Sequence, residues 1–571
     1  IEVVSRSLTH VLGKLKIFNH YGIVFPEPGT RFPEVLVKKD DLNGAEDNQR
    51  VVVNIISWGN NQNKAIWGKV NSILENVSDH EISMQSILLS SGFNAEYPEE
   101  VLKEVEKIDG SISKEEIKKR KDFRKVLTFT IDPETAKDFD DAISYQVLKN
   151  GNIEIGVHIA DVTHYLKENT ALDKEAYQRS TSVYLVDRCV AMLPERLSND
   201  LCSLNPNEDK LTFSAVFEFD EKFKIINEWF GKTIIHSARR FTYEEAQERL
   251  ESGKGDLAPQ LKKINEIALK LRKDKFKNGA INFESDEVKF DLDENNKPIG
   301  LIVKVRKDAH MLIEDFMLLA NKSVAKFIAK KAKPEIPFVY RIHDMPDPTK
   351  LADFALFAKE LGVNMKLDSP INISRSFSEL ALAIEKDSSL KILNPLAIRT
   401  MAKAEYNPKN IGHYGLAFDY YTHFTSPIRR YSDVLVHRIL FDNLNEQISR
   451  VDLDKLAMKC KHVSRQEIKA SEAERDSIKY KQVEYMASKV GQEFMAQVTG
   501  MIERGIFVEL PDSKAEGLIP FSSFGEHYIL DENRMRATAR RIKHTIKMGD
   551  MIKVKLIDAD IENKKLEFEA I

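Results

Sequence analysis

The sequence contains little cysteine and no long apolar run. Its 3 cysteines, Cys189, Cys202 and Cys460, show no CxxC spacing, which argues against a disulfide framework and against a structural zinc site. No apolar run approaches the roughly 18–20 residues that a membrane span needs, and no signal-peptide pattern is present. We therefore expect a protein of a reducing compartment, the cytoplasm, that is not associated with a membrane.

The sequence also lacks an excess of charge of one sign. Its 85 Lys and Arg residues are balanced by 89 Asp and Glu residues, for a formal net charge of −4. A polyanionic partner would therefore have to be bound by local basic surfaces. Only 19 prolines and 24 glycines occur among 571 residues, of which 42% are hydrophobic. This composition excludes a collagen-like or mostly disordered chain and predicts three or four folded domains.

Alternating apolar patterns divide the chain into four regions and predict a multidomain α+β protein. Residues 1–78 consist of short strands separated by turns, which is typical of a small β-barrel. Residues 79–121 form a charged helical connector, residues 122–490 mix strands with long helices, and residues 491–571 return to a barrel pattern. Within the large region, the patterns predict strands at 125–131, 153–158 and 211–219, and helices at 243–251, 257–275, 309–330 and 453–489.

Four aspartates follow the first predicted strand of the large region within ten residues: Asp132, Asp138, Asp140 and Asp141. Carboxylates this close would repel one another unless cations lay between them. Mg²⁺ prefers such oxygen ligands, and two ions roughly 3.5–4 Å apart can promote attack of water on a phosphodiester. An acidic solvated loop or a calcium loop is the alternative, although the central glycine and closing glutamate of an EF-hand are absent.

Several segments of the chain resemble the RNB family of bacterial exoribonucleases, which includes RNase II and RNase R, and they are closer to the RNase R type. The resemblance extends over nearly the whole chain, including both terminal barrels. The matching segments of the large region are residues 131–143, 156–165, 192–198, 201–206, 341–344 and 423–431.

The resemblance implies a processive hydrolase that removes nucleoside 5′-monophosphates from the 3′ end of single-stranded and structured RNA. Asp132, Asp138, Asp140 and Asp141 would hold two Mg²⁺ ions, for which Mn²⁺ could substitute. Arg429 would contact the phosphoryl oxygens, because a guanidinium is always charged and binds phosphate bidentately. Arg430 would support it or bind the adjacent phosphate.

The resemblance also assigns residues that hold the RNA chain. Tyr184 and Phe283 would stack on bases, a contact that needs no particular sequence. Tyr243 and Glu314 would contact the ribose 2′-hydroxyl, the group that distinguishes RNA from DNA. Glu474 would lie near the 3′ end and influence product release.

The terminal barrels resemble a cold-shock domain and an S1 RNA-binding domain, both of which are OB-folds. Because the chain begins at Ile1 without methionine and family members carry two cold-shock domains, we expect another such domain to precede it. The expected partner is RNA with a free single-stranded 3′ end, bound by a monomer. Ribosomes or RNA-decay factors are candidate associates.

Two other classes of function are compatible with the same residues. A non-catalytic RNA-binding protein could use this scaffold, but such a protein would have lost one or more of the four aspartates, and here all are present. An endonuclease or a DNA nuclease could carry a similar acidic site.

Overall fold

Two closed five-stranded barrels and a seven-stranded mixed sheet form the frame of the protein. The computed structural model of the chain describes residues 9–28, 32–59, 65–75, 77–281, 287–541 and 544–571. No helix formed by these residues has both the length and the apolarity that a membrane span needs.

The first barrel has the strand order β1-β2-β3-β5-β4, in which β3 and β5 are parallel and the other pairs are antiparallel. Alternate residues such as Val11, Leu15 and Val24 point into its core, as the period of two along a strand requires. The strands are β1 (His10–Ile17), β2 (Tyr21–Pro26), β3 (Val35–Lys38), β4 (Arg50–Ser57) and β5 (Ile66–Leu74).

Three short helices connect this barrel to the large domain. The first begins at a capped residue, since the Ser78 hydroxyl accepts a hydrogen bond from the Glu81 backbone N–H at 3.2 Å. Such a cap satisfies one of the free amide groups of the first turn. The helices are α1 (Asp79–Ser90), α2 (Glu99–Glu106) and α3 (Lys114–Lys118).

The large domain is built on a mixed sheet with the strand order β14-β7-β8-β9-β12-β13-β6. Its interior strand β12 is buried along most of its length, as expected for a strand covered on both faces. The strands of this region are β6 (Lys121–Asp122), β7 (Leu127–Asp132), β8 (Asp141–Val147), β9 (Ile153–Ala160), β10 (Val183–Tyr184), β11 (Cys189–Val190), β12 (Asp209–Phe219), β13 (Ile225–His236) and β14 (Arg239–Thr242).

The helices of this region either pack against the sheet or join the core that contains the second barrel. The predicted strands and long helices are confirmed to within a few residues at each end. The helices are α4 (Val162–Tyr165), α5 (Ala171–Arg179), α6 (Tyr243–Ser252), α7 (Ala258–Lys277), α8 (Asp308–Lys331), α9 (Pro348–Glu360), α10 (Pro370–Lys386), α11 (Leu393–Thr400), α12 (Tyr431–Asp442) and α13 (Leu453–Ala487). Two small two-stranded sheets pair β15 (Glu287–Leu292) with β16 (Pro298–Lys304), and β17 (Tyr340–Ile342) with β18 (Glu405–Asn407).

The second barrel has the strand order β19-β20-β21-β26-β25, and a three-stranded sheet, β22-β23-β24, is inserted into it. The expected fold class, small β-barrels flanking a large mixed domain, is thus confirmed. The strands are β19 (Glu493–Ile502), β20 (Gly505–Glu509), β21 (Glu516–Pro520), β22 (Tyr528–Leu530), β23 (Arg536–Ala539), β24 (Thr545–Lys547), β25 (Met551–Asp560) and β26 (Lys565–Ala570).

Candidate active site

The topology of the central sheet brings the four aspartates to one edge. Strand β7 ends at Asp132 and its antiparallel neighbour β8 begins at Asp141. The loop between them, residues 133–140, carries Asp138 and Asp140 and therefore lies at that same edge. Strand β14 runs parallel to β7 and places Thr242 opposite Asp132, so the start of α6 also lies there.

Burial and mutual repulsion make these carboxyl groups reluctant to ionise. Asp132 and Asp140 are only 9% and 5% exposed. Burial, reinforced by the charge of Asp141, raises the pKa of Asp132 to about 8. Burial also raises the pKa of Asp141 to about 6, against the opposing charge of Arg429. The pKa values of Asp138 and Asp140 are raised for the same reason.

The donor set fits a hard divalent cation, although the side chains are not arranged as a finished coordination shell. Among the described residues, no three acidic, histidine or cysteine side chains converge closely enough to hold a metal ion. The Oδ2 atom of Asp132 is nevertheless buried without a hydrogen bond of normal geometry. Because a buried, unpaired carboxylate oxygen is costly, a cation at this position would remove the cost and favour ionisation of the whole cluster.

Arg429 lies directly against the aspartate cluster. Its Nε atom is 3.6 Å from Oδ2 of Asp140, and its side chain remains 41% exposed. The Ile428 backbone N–H donates to Oδ1 of Asp140 at 2.9 Å, and Nη2 of Arg429 donates to the Ser426 hydroxyl at 3.1 Å. The segment before α12 therefore both anchors Asp140 and directs a guanidinium to the site.

Arg430 has a different environment from its neighbour. Its guanidinium makes two hydrogen bonds to the Asp433 carboxylate, at 2.9 and 2.8 Å. The same carboxylate accepts hydrogen bonds from the Ser426 backbone N–H and the Ser432 hydroxyl. Arg430 thus takes part in a buried network that fixes the turn before α12, while Arg429 faces the aspartates.

Tyr184 lies beside the same cluster on the short hairpin formed by β10 and β11. The segment before β10 pairs with the arginine segment, since the Ser182 backbone N–H donates to the Arg429 carbonyl at 3.0 Å. Burial raises the pKa of the Tyr184 phenol, and the charges of Arg429 and Asp138 act on it. The residue as a whole is still 38% exposed, so it remains accessible to a base.

Tyr243 begins α6 next to the end of β14. Burial, together with the charges of Asp141 and Asp132, raises the pKa of its phenol, so the hydroxyl stays protonated beside the carboxylates. Its ring stacks on that of His310 in α8, with the centroids 4.0 Å apart.

Glu314 lies one turn after His310 on α8. Its carboxylate is paired with Arg306, and its side chain is 39% exposed. Asp315, the next residue, is buried and bonded to Arg272 at 2.8 Å. Of the two acidic residues, Glu314 is therefore the one that solvent and ligands can reach.

Phe283 and Glu474 are the other two residues predicted to contact RNA. Phe283 lies outside the described residues. Glu474 is exposed on α13, one turn before Ser477, whose hydroxyl accepts a hydrogen bond from the backbone N–H of Val186 in the Tyr184 hairpin at 3.2 Å.

Arg240 is a site residue that the sequence patterns did not single out. From β14 it donates to the carbonyls of Pro133 and Glu134, at 2.7 and 2.8 Å, and its guanidinium lies 5.4 Å from the centre of the Phe139 ring. It therefore holds both ends of the aspartate loop. The available signal was its position, two residues before Thr242, on the strand that leads to Tyr243.

Aromatic side chains also mark the outer surface of the first barrel. Phe18, Tyr21 and Phe25 are each about 40% exposed, and the first two rings stack with centroids 5.5 Å apart. Exposed rings on a small barrel are suited to stacking on the bases of a single strand.

A small barrel that exposes aromatic rings, together with an acidic sheet edge beside an arginine, is typical of an enzyme that hydrolyses nucleic acid. Three family models match the chain in order: cold shock domain at residues 24–98, RNB domain at 120–446 and S1 RNA binding domain at 488–570. The chain is 38% identical to ribonuclease R of Thermotoga maritima over all of its own length and 81% of that protein.

Solved structures of Mycoplasma genitalium RNase R are also similar. One, in complex with ribose-methylated single-stranded RNA, has a TM-score of 0.89 at 26% identity and covers 100% of this chain and 91% of that one. Another, in complex with double-stranded RNA, has a TM-score of 0.84 at 25% identity, covering 100% and 97%. This chain therefore belongs to the RNase R group of the RNB family, the hydrolytic 3′→5′ exoribonucleases.

Proposed function

We propose that hydrolysis takes place at the sheet edge formed by Asp132, Asp138, Asp140 and Asp141, with Mg²⁺ as the resident cation. Bound there, two such ions would supply an activated water and charge stabilisation on the leaving oxygen. The observation that carries this proposal is that four carboxyl groups lie at one edge of the sheet, with Asp132 and Asp140 buried and Arg429 directly beside Asp140. Burial raises the pKa values of all four.

Arg429 is proposed to bind the non-bridging oxygens of the scissile phosphate. Its Ser426 hydrogen bond fixes one side of the guanidinium, and its exposed part is available for a phosphate. A cation that is already oriented loses little freedom on binding the transition state. Asp140 has the complementary task of orienting Arg429 while its other oxygen stays bonded to the Ile428 amide.

Tyr184 and Tyr243 are proposed to hold the last nucleotides. Stacking on Tyr184 would hold the terminal bases at roughly 1–3 kcal/mol per base without sequence preference. The protonated Tyr243 hydroxyl would donate to a ribose oxygen, and Glu314 would contribute an acceptor for a 2′-hydroxyl. Phe283 and Glu474 remain proposed contacts from the resemblance to the family. The expected products are nucleoside 5′-monophosphates, released processively.

Structured RNA is proposed as a substrate when it carries a single-stranded 3′ extension. Support comes from the similarity to an RNase R bound to double-stranded RNA. Two barrels flank the catalytic domain, so a strand could be bound at several points while its end is degraded, which favours processivity.

The direct test uses 5′-end-labelled RNA and DNA oligonucleotides, each with a free or a blocked 3′ end. We expect a ladder of shortened products from the free RNA alone, in the presence of Mg²⁺ or Mn²⁺ and not with EDTA. Cleavage of the blocked RNA would indicate an endonuclease, and binding without cleavage would indicate a non-catalytic scaffold.

A further inference from the structure

The hairpin that carries Tyr184 is too small to fix its own position. Its strands, β10 and β11, are two residues long and make two residue pairs, Val183 with Val190 and Tyr184 with Cys189. An isolated hairpin even several times longer is at best marginally stable in water. The location of the Tyr184 ring must therefore be set by the elements that pack against the Tyr184 hairpin, residues 183–190.

Two helices that lie far apart in the sequence, α1 and α13, pack against the Tyr184 hairpin. One small hydrophobic core joins the hairpin to α1 and α13 and is separate from the main core of the sheet. Its buried members are Met84, Ile87, Leu88, Phe93, Val183, Leu185, Val190, Ala470, Ala473 and Tyr480.

Ionic contacts tie the turn of the hairpin to α1 specifically. Arg188 makes two hydrogen bonds to the Glu81 carboxylate, at 2.8 and 2.5 Å, and its side chain is about one-third exposed. Asp187, which is almost fully buried, accepts a hydrogen bond from Arg188 and contacts His80 Nε2 at 2.8 Å. The bidentate contact between Arg188 and Glu81 constrains direction as well as distance, so the turn is held in one orientation.

The same two helices also contact the RNA-binding barrels. The other face of α1 packs Ile82 and Leu89 against Leu12 and Val52 of the first barrel. The last turns of α13 join the core that contains the second barrel, through residues such as Val483. The Tyr184 hairpin is thus attached to the catalytic site on one side and, through single helices, to both barrels.

We propose that Arg188 is a positioning residue, which through Glu81 fixes the Tyr184 hairpin to α1 and so determines where the Tyr184 ring meets the 3′-terminal bases. This inference rests on the proposed stacking role of Tyr184. The connector helix would then do more than link two domains. It would set the number of nucleotides that must remain for the enzyme to hold its substrate.

The test measures the length of the final undegraded product and the kcat and KM values on short and long RNA. Arg188→Gln and Glu81→Gln should each lengthen the final product by at least one nucleotide. Each should also lower kcat/KM on short RNA by roughly two- to fivefold, as loss of one partly exposed ion pair implies. Long RNA is also held by the barrels, so its KM should stay unchanged.

Coupling between the two residues separates positioning from a general loss of stability. The double variant should be no worse than Arg188→Gln alone, because both substitutions break the contact between Arg188 and Glu81 and Arg188→Gln alone already removes the additional bond to Asp187. Arg188→Lys should show an intermediate effect, since it keeps the charge without the two-point geometry. Arg124→Gln is the matched control, because Arg124 has the same 32% side-chain exposure and pairs with Asp122 at the far edge of the sheet.

Tyr184→Ala, measured in the same assay, distinguishes failure of the positioning role of Arg188 from failure of the stacking role of Tyr184. If Tyr184→Ala lengthens the final product while the Arg188 and Glu81 variants do not, the positioning role is wrong and the stacking role stands. If none of the variants changes the product, the stacking role of Tyr184 is itself wrong, and this inference is overturned with it. If Arg188→Gln does not fold, Arg188→Lys and Glu81→Gln decide by the same criteria.

Discussion

Replacing Asp132 by asparagine should make the metal-free protein more stable while abolishing its activity. An aspartate in an unfolded chain ionises at about pH 3.9, whereas in the fold burial and the charge of Asp141 raise the pKa of Asp132 to about 8. Between these values each pH unit adds about 1.36 kcal/mol in favour of the unfolded state, or about 4 kcal/mol at pH 7. Because Asp132 and Asp141 interact, part of this cost belongs to the pair and not to Asp132 alone. We therefore expect Asp132→Asn to raise the free energy of unfolding by about 1–4 kcal/mol at pH 7.

The pH dependence of this gain follows from its cause. Between about pH 4 and pH 8 the folded protein binds more protons at Asp132 than the unfolded chain does, so its unfolding free energy falls as the pH rises. The asparagine variant lacks this titration. Its advantage should therefore be near zero at about pH 4 and greatest at about pH 8, as measured by urea unfolding in EDTA across that range.

Mg²⁺ should reverse the order of stability. A cation that binds only the folded, ionised cluster stabilises the wild type by mass action, and the variant, which has lost a ligand oxygen, should gain much less. Asp122→Asn is the control: bonding to Arg124 lowers the pKa of Asp122, so this variant should lose stability above about pH 4. A destabilised Asp132→Asn protein in EDTA at pH 8, or a gain that does not vary with pH, would refute the reasoning.

Three further substitutions address the neighbours of the aspartates. Arg429→Lys keeps the charge but loses bidentate contact, so single-turnover cleavage should slow roughly tenfold to a hundredfold with RNA affinity nearly unchanged in a binding titration. Tyr243→Phe removes the hydroxyl, and the preference for a ribose over a deoxyribose at the 3′ end should fall roughly fivefold in competition assays. Arg240→Met removes two hydrogen bonds to the aspartate loop. The backbone amides of this loop should therefore exchange hydrogen faster in the metal-free variant, and the Mg²⁺ concentration needed for half-maximal activity should rise.

Much of the fold was predictable because its signals are local. Helices such as α7 and α8 carry an apolar stripe at helical spacing, and short strands separated by turn residues indicate barrels. The crowding of four aspartates after a strand is also visible in the sequence, because adjacent residues on one loop share an environment wherever that loop lies.

The partners of the arginines were not predictable in the same way. The sequence places Arg429 and Arg430 side by side, and nothing local states which of them faces the aspartates. The answer depends on Asp433, three residues later on α12, which pairs with Arg430, and on a contact between Arg429 and Asp140, nearly three hundred residues earlier in the chain. Long-range pairing of charges is decided by the packing of whole elements.

The aspartate loop likewise depends on residues that lie far away in the sequence. Four carboxyl groups with raised pKa values oppose folding, and in the absence of a cation that cost has to be offset by contacts elsewhere. Arg240 and the Ile428 amide bond the loop directly, and neither belongs to the acidic motif. The acidic motif therefore identifies the carboxyl groups proposed to perform the chemistry. The groups that hold these carboxyl groups close together, at a cost in folding free energy, come from other strands and turns that the fold brings to the same edge of the sheet.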